Sequence, residues 1–144
     1  TSRKPGMLTK KLAKWLAALL HAERENRGKK SMEEIAERAG MHGRKRLLFV
    51  YEKHGNPSSL SFWEDEWLEP EVHLKNVEFT KAEAKGKMPS ELNVEIDGSE
   101  KARKIKELFD IEEEGESDLT LKISKEKIEF KLKGKGIGPI MHLK

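Results

Sequence analysis

Ser31-Met-Glu-Glu-Ile-Ala-Glu-Arg-Ala-Gly-Met-His-Gly-Arg-Lys-Arg-Leu-Leu-Phe-Val-Tyr51 reads as two short helices joined by a glycine turn, with cations opening the second. Ser31 and Glu34 have the spacing of a capping box, in which the hydroxyl accepts the N3 amide and the carboxylate reaches back to the cap amide. Ile35, Ala36 and Ala39 fall on one face, where small side chains let a second helix approach, and Gly40 supplies the left-handed backbone that ends a helix. Met41-His42-Gly43 lengthens the turn. Beyond it Leu47, Leu48 and Tyr51 recur as an inward stripe, and Arg44, Lys45 and Arg46 crowd the first turn. Cations there oppose the helix's own partial positive charge, a conflict that an arriving anion would remove.

On these residues the stretch 31–54 resembles the helix-turn-helix superfamily. The resemblance implies a second helix seated in the major groove of double-stranded DNA, with His42, Arg44, Lys45 and Arg46 at the groove. Lys29, Lys30 and Lys53 would then contact phosphates, positioning the protein without specifying a sequence. It also implies a regulatory or accessory role in transcription and a symmetric dimer reading two half-sites.

The charge distribution agrees. The chain of 144 residues carries a formal charge of +3, but residues 1–60 hold +8 and residues 61–144 hold −5. A one-sided positive field is what phosphate neutralisation requires. Hydrophobic residues make up 35% and charged residues 38%, yet the apolar positions are periodic, which argues for a folded chain with a highly charged surface. Lys/Glu enrichment and the lack of cysteine are compatible with a thermophilic source. No apolar run is long enough to span a membrane and no secretory leader pattern is present, so a cytoplasmic location is expected.

Leu8, Leu12, Trp15, Leu16, Leu19 and Leu20 recur at helical spacing, with Lys10, Lys11 and Lys14 on the opposite side, and predict a helix to about Asn26. Gly55 and Pro57 read as the stop of the helical hairpin. Phe62, Trp63 and Trp67 lie among acids and read as a seam between two halves. Strands are expected at 72–79 and 91–97, a capped helix after Asp97-Gly98-Ser99, and a hairpin from the runs Leu119-Leu121-Ile123 and Ile128-Phe130-Leu132. The tail from Gly134 reads as a flexible glycine stretch ending in a last strand. No internal repeat is evident.

Catalytic chemistry is poorly supported. Carboxylate runs at 33–34, 64–66 and 112–114 have no apolar setting that would raise a pKa. The five histidines show no ligand spacing, so no metal and no cofactor is expected. Gly134-Lys-Gly-Ile-Gly-Pro139 has no Walker spacing and reads as a linker. Leu16-Ala-Ala-Leu-Leu-His-Ala-Glu-Arg24 resembles the LAGLIDADG helix of homing endonucleases, which implies a metal-holding acid at Glu23; His21 and Arg24 depart from that pattern.

The expected fold is α+β: a basic N-terminal three-helix region containing the helix-turn-helix (1–58), an aromatic and acidic connector (59–71), and an acidic, mostly antiparallel sheet with one crossing helix (72–144). The expected function is non-enzymatic binding of double-stranded DNA, with a protein partner or homodimer on the acidic region. Two alternatives stand beside it. One is a protein-interaction or assembly module without a nucleic-acid role, whose contact surface is the Phe62/Trp63/Trp67 patch. The other is a relative of the homing endonucleases, active or degenerate.

Overall fold

The computed structural model describes residues 6–20, 46–80, 92–111 and 117–144. Seven strands form a single sheet in the order β1-β2-β3-β7-β6-β5-β4: Leu47–Lys53, Asn56–Glu64 and Glu66–Phe79 for β1 to β3, Asn93–Ile96 for β4, and Leu119–Ile123, Lys127–Leu132 and Lys135–Leu143 for β5 to β7. All neighbours are antiparallel except the edge pair β4 and β5. Helices α1 (Met7–Leu19) and α2 (Glu100–Phe109) pack on one face, each preceding a three-stranded meander.

The expected three-helix start is therefore corrected. Leu47, Leu48, Phe49, Val50 and Tyr51 alternate at period two: Leu48 and Val50 pack in the core, while Phe49 and Tyr51 face the other side of the sheet. A short apolar run fits a helix or a strand equally well by spacing, and pairing with β2 decides for the strand. Gly55, read as a helix stop, lies instead in a two-residue hairpin turn: Lys53 pairs with Asn56, and His54 and Gly55 have φ of 54° and 79°. Pro57 sits beside a register shift, where a missing amide is tolerated. The capped helix expected from Ser31 to Gly40, the extension of α1 to Asn26, and Glu23 lie outside the described residues.

Elsewhere the alternation is realised as expected. Leu119, Leu121 and Ile123 of β5 and Ile128 and Phe130 of β6 are buried on the helix side, and the expected strand at 72–79 is the second half of β3. Residues 59–71, the aromatic and acidic connector, lie in β2 and β3 apart from Asp65, and β3 is long enough to pair with β2 through its first half and with β7 through its second. The glycine-rich tail is β7, inserted between β3 and β6 near the middle of the sheet. Its Gly138 has φ 71° and lies under α1, where a methyl group would come within 3.0 Å of Trp15 Cε3 and 3.1 Å of Leu19 Cδ1.

Both helices are anchored at their N-termini. Gly6, the N-cap of α1, has no side chain to supply, and its amide donates instead to Glu52 Oε2 of β1 at 2.9 Å; the Thr9 hydroxyl donates to the same oxygen at 2.6 Å. These two donors, Thr9 foremost, hold the Glu52 carboxyl below its usual pKa. Ser99 caps α2 by accepting the Ala102 amide, as its sequence position predicts. Asp97 in turn accepts the Ser99 hydroxyl and amide and the Lys125 amide, which lowers its pKa to about 2.

Leu12, Leu16 and Leu19 of α1, with Ala102, Ile105 and Leu108 of α2, close one continuous core against Val50, Leu60, Phe62, Val72, Leu74, Phe130 and Met141. Each helix leans on the opposite meander as well as its own: α1 reaches β7, and α2 reaches β3.

Candidate nucleic-acid interface

Of the cations expected at a DNA groove, Lys29, Lys30, Arg44 and Lys45, like His42, lie outside the described residues. Lys53 is exposed at the end of β1. Arg46 precedes β1 rather than opening a helix, and its guanidinium is engaged inside the protein. It donates to the Glu107 and Leu108 carbonyls at 2.9 and 2.8 Å, satisfying the C-terminal end of α2, and pairs with Glu64 at 3.3 Å. That role needs no nucleic acid.

The fold brings together a different basic surface. α1 exposes Lys10, Lys11 and Lys14 and contains no acidic residue. The segment from Lys131 to Lys144 likewise contains Lys131, Lys133, Lys135 and Lys144 with no acid. The two segments meet where Trp15 and Leu19 cover Gly138. Lys11 Nζ lies 4.5 Å from the centroid of Phe79, whose partner across the strands is Pro139. The Thr80 amide donates to the Gly138 carbonyl at 3.0 Å, and the hairpin between β6 and β7 projects Lys133 from the same end of the sheet. Cross-strand register puts Lys135 opposite Leu132 on the helix side and Lys131 opposite Gly136 on the back. Lys10, Lys14, Lys133 and Lys135 are all exposed. A lysine-rich surface beside a backbone held open by glycine, with Asp118 the acid next to Lys133, suits the neutralisation of phosphates.

The opposite side of the sheet has another character. Over the β4 to β7 half, polar side chains pair across strands, Lys122 with Glu95 and His142 with Glu78, and along β6, Lys127 with Glu129. Over the β1 to β3 half it is aromatic. Phe49 meets Trp67 edge-on at 5.2 Å and stacks with Tyr51 at 6.3 Å, while Tyr51 and Trp67 are 6.4 Å apart. Trp63 pairs with Trp67 across the strands. The Phe62/Trp63/Trp67 patch is thus split by the pleat: Phe62 turns inward onto Phe109 at 5.1 Å, and Trp67 remains 45% exposed on the back.

Among the described residues no cluster of three His, Asp or Glu side chains is placed to hold a metal ion, and no helix is long and apolar enough to cross a membrane.

No protein-family model matches the chain. A curated protein of Archaeoglobus fulgidus, described as a probable Brix domain-containing ribosomal biogenesis protein, is 38% identical over 96 residues, an alignment covering 62% of this chain and 60% of the relative. The chain thus spans about three fifths of that relative's length. Two solved structures share the fold: a probable ribosomal biogenesis protein from Aeropyrum pernix K1, with a TM-score of 0.79 at 22% identity, and Mil, an archaeal Imp4-like protein, with a TM-score of 0.72 at 19% identity. Each alignment covers 99% of this chain, with 92% of the first structure and 93% of the second. These likenesses, with the strand at Leu47–Lys53, overturn both the helix-turn-helix and the homing-endonuclease resemblances. The expectation of a double-stranded DNA partner and a role in transcription falls with them, since the recognition helix it required is a strand.

Proposed function

We propose that the chain is a ribosome-assembly module that holds RNA through the lysine surface formed by α1 and the β6–β7 hairpin. The name of the Archaeoglobus fulgidus relative supports the process, and it favours the assembly-module alternative over DNA binding. The observation that carries the RNA contact is the meeting at Gly138 of two segments that have lysines and no acids. Phosphate contacts of this kind are electrostatic and largely indifferent to sequence, so the surface grips RNA and leaves recognition to RNA shape and to neighbouring proteins.

The test is a salt titration of binding to a structured RNA, read by fluorescence anisotropy. If Lys10, Lys14, Lys133 and Lys135 each neutralise one phosphate, the log–log slope against salt is roughly −3, at about −0.7 to −0.9 per contact. Lys133→Glu with Lys135→Glu should lower affinity at least about tenfold and flatten the slope. Absence of RNA binding at low salt, or binding unchanged by the double substitution, refutes the reading. Stronger binding to duplex DNA of the same length than to RNA would also refute it.

A further inference from the structure

The back of the β1–β3 meander carries an aromatic surface that the RNA reading does not use. Phe49, Tyr51 and Trp67 pack as a cluster there, and Trp67 keeps 45% of its surface exposed. Its surroundings are acidic: residues 64–71 hold Glu64, Asp65, Glu66, Glu69 and Glu71 with no cation. The Glu71 carboxylate lies on the same back face as Trp67, accepting the buried Ser59 hydroxyl at 2.8 Å, and Glu69 is exposed between them in the irregular stretch opposite Ser61. Glu64 is turned to the other side by Arg46. The surface thus consists of an exposed indole, its ring neighbours and a strip of carboxylates along one strand, ending at His73, whose Nε2 lies 4.0 Å from Glu71.

From this juxtaposition we infer that the Trp67 face is a docking surface for a cationic, arginine- or lysine-rich segment of another protein. Charge complementarity selects that occupant. A guanidinium over the indole face gains a cation–π contact, and Glu69 and Glu71 are placed to pair with the cations that follow along an extended chain. RNA is disfavoured because its phosphates would meet the same carboxylates, and a second copy meeting it face to face would bring two acidic strips together. The surface is independent of the lysine surface on the helix side, so failure of the RNA reading leaves it standing. Together the two would let the chain hold RNA on one side of its sheet and a basic protein on the other.

The test uses the full chain and an Arg/Gly-repeat peptide of about ten residues, with a Glu/Gly peptide of equal length as control, followed by tryptophan fluorescence at low salt. The Arg/Gly peptide should bind and the Glu/Gly peptide should not. Trp67→Ala should lower affinity about three- to fivefold, the size of an exposed cation–π contact. Glu69→Lys with Glu71→Lys should lower it about tenfold or more, whereas Glu78→Lys with Glu95→Lys, an equal charge change on the other half of the same face, should alter it less than about twofold. The carboxylate variants keep the test open if Trp67→Ala unfolds. No binding, or equal losses in the two charge-reversed variants, would overturn the inference, as would a chain that dimerises through Trp67.

Discussion

Gly138→Ala is expected to be among the most damaging single-methyl additions in the β-sheet. At φ 71° an alanine is held in left-handed backbone, at a cost of about 1–2 kcal/mol. The new methyl group would also lie 3.0 Å from Trp15 Cε3, 3.2 Å from Trp15 Cδ2 and 3.1 Å from Leu19 Cδ1. Neither neighbour is the free end of a flexible chain, because Leu19 is buried and Trp15 packs against the core, so α1 itself must shift. Such overpacking adds about 1–3 kcal/mol, for a total of about 2–5 kcal/mol. Gly134→Ala is the control: φ is 81° there, but nothing lies within 4 Å of the added methyl. It should lose the backbone share alone. At about 3 °C per kcal/mol for a chain of this size, the two variants should differ in Tm by roughly 3–9 °C. In a Trp15→Ala background, which removes two of the three close contacts, the penalty of Gly138→Ala should shrink by about 1 kcal/mol. Circular dichroism during thermal and urea unfolding reads all four variants. Equal losses at positions 134 and 138, or no coupling to Trp15, would refute the packing of α1 on β7.

Three further outcomes follow from the same geometry. Arg46→Met should destabilise the chain by about 1–3 kcal/mol, because two α2 carbonyls and Glu64 lose their donor, while RNA affinity stays within about twofold; the opposite pattern would return Arg46 to a nucleic-acid surface. Asp97 titrates near 2 in the fold against an ordinary 3.8, so its contribution is complete above that ordinary value and is lost as pH falls toward 2. The difference in urea midpoint between the wild type and Asp97→Asn should therefore narrow from about pH 5 to about pH 2, and a constant difference would contradict the Ser99 and Lys125 hydrogen bonds. Thr9→Val removes the 2.6 Å bond to Glu52, should cost about 1 kcal/mol, and should move the Glu52 titration upward toward its usual range; an unmoved NMR titration curve would refute that coupling.

Helix α2 and the strands β5 and β6 are legible in the sequence because their signals are local. Ser99 with the amphipathic run to Phe109, and the strict alternation of Leu119 to Ile123 and of Ile128 to Leu132, each determine an element without help from distant residues. The first half was misread where two periods compete. Leu47, Leu48 and Tyr51 satisfy a helical stripe as readily as Leu48 and Val50 satisfy a strand, and only β2, supplied by a stretch that contains Pro57 and two serines facing aromatic rings, breaks the tie. The lysine surface is hidden in the sequence for a related reason. Lys10, Lys11 and Lys14 were visible as one helix face, but Lys133 and Lys135 fell in a tail read as flexible and in a half whose total charge is negative. Net charge by segment hides what a sheet brings together. The aromatic patch was seen as a group, whereas its division into an inward Phe62 and an outward Trp67 depends on the pleat.

The position of β7 bears on how the chain is made. It follows the other six described strands of the sheet in synthesis yet lies between β3 and β6, so the hydrogen-bonding edges of both strands wait for it. At about 5–20 residues per second, the interval between the emergence of β3 and that of β7 is several seconds. Through that interval β3 presents an unsatisfied edge beside apolar Leu74 and Val77, a template for the wrong strand. Vectorial synthesis thus leaves the β3 edge most exposed to mispairing just before β7 emerges, and Gly138 locks beneath α1 only once β7 has inserted.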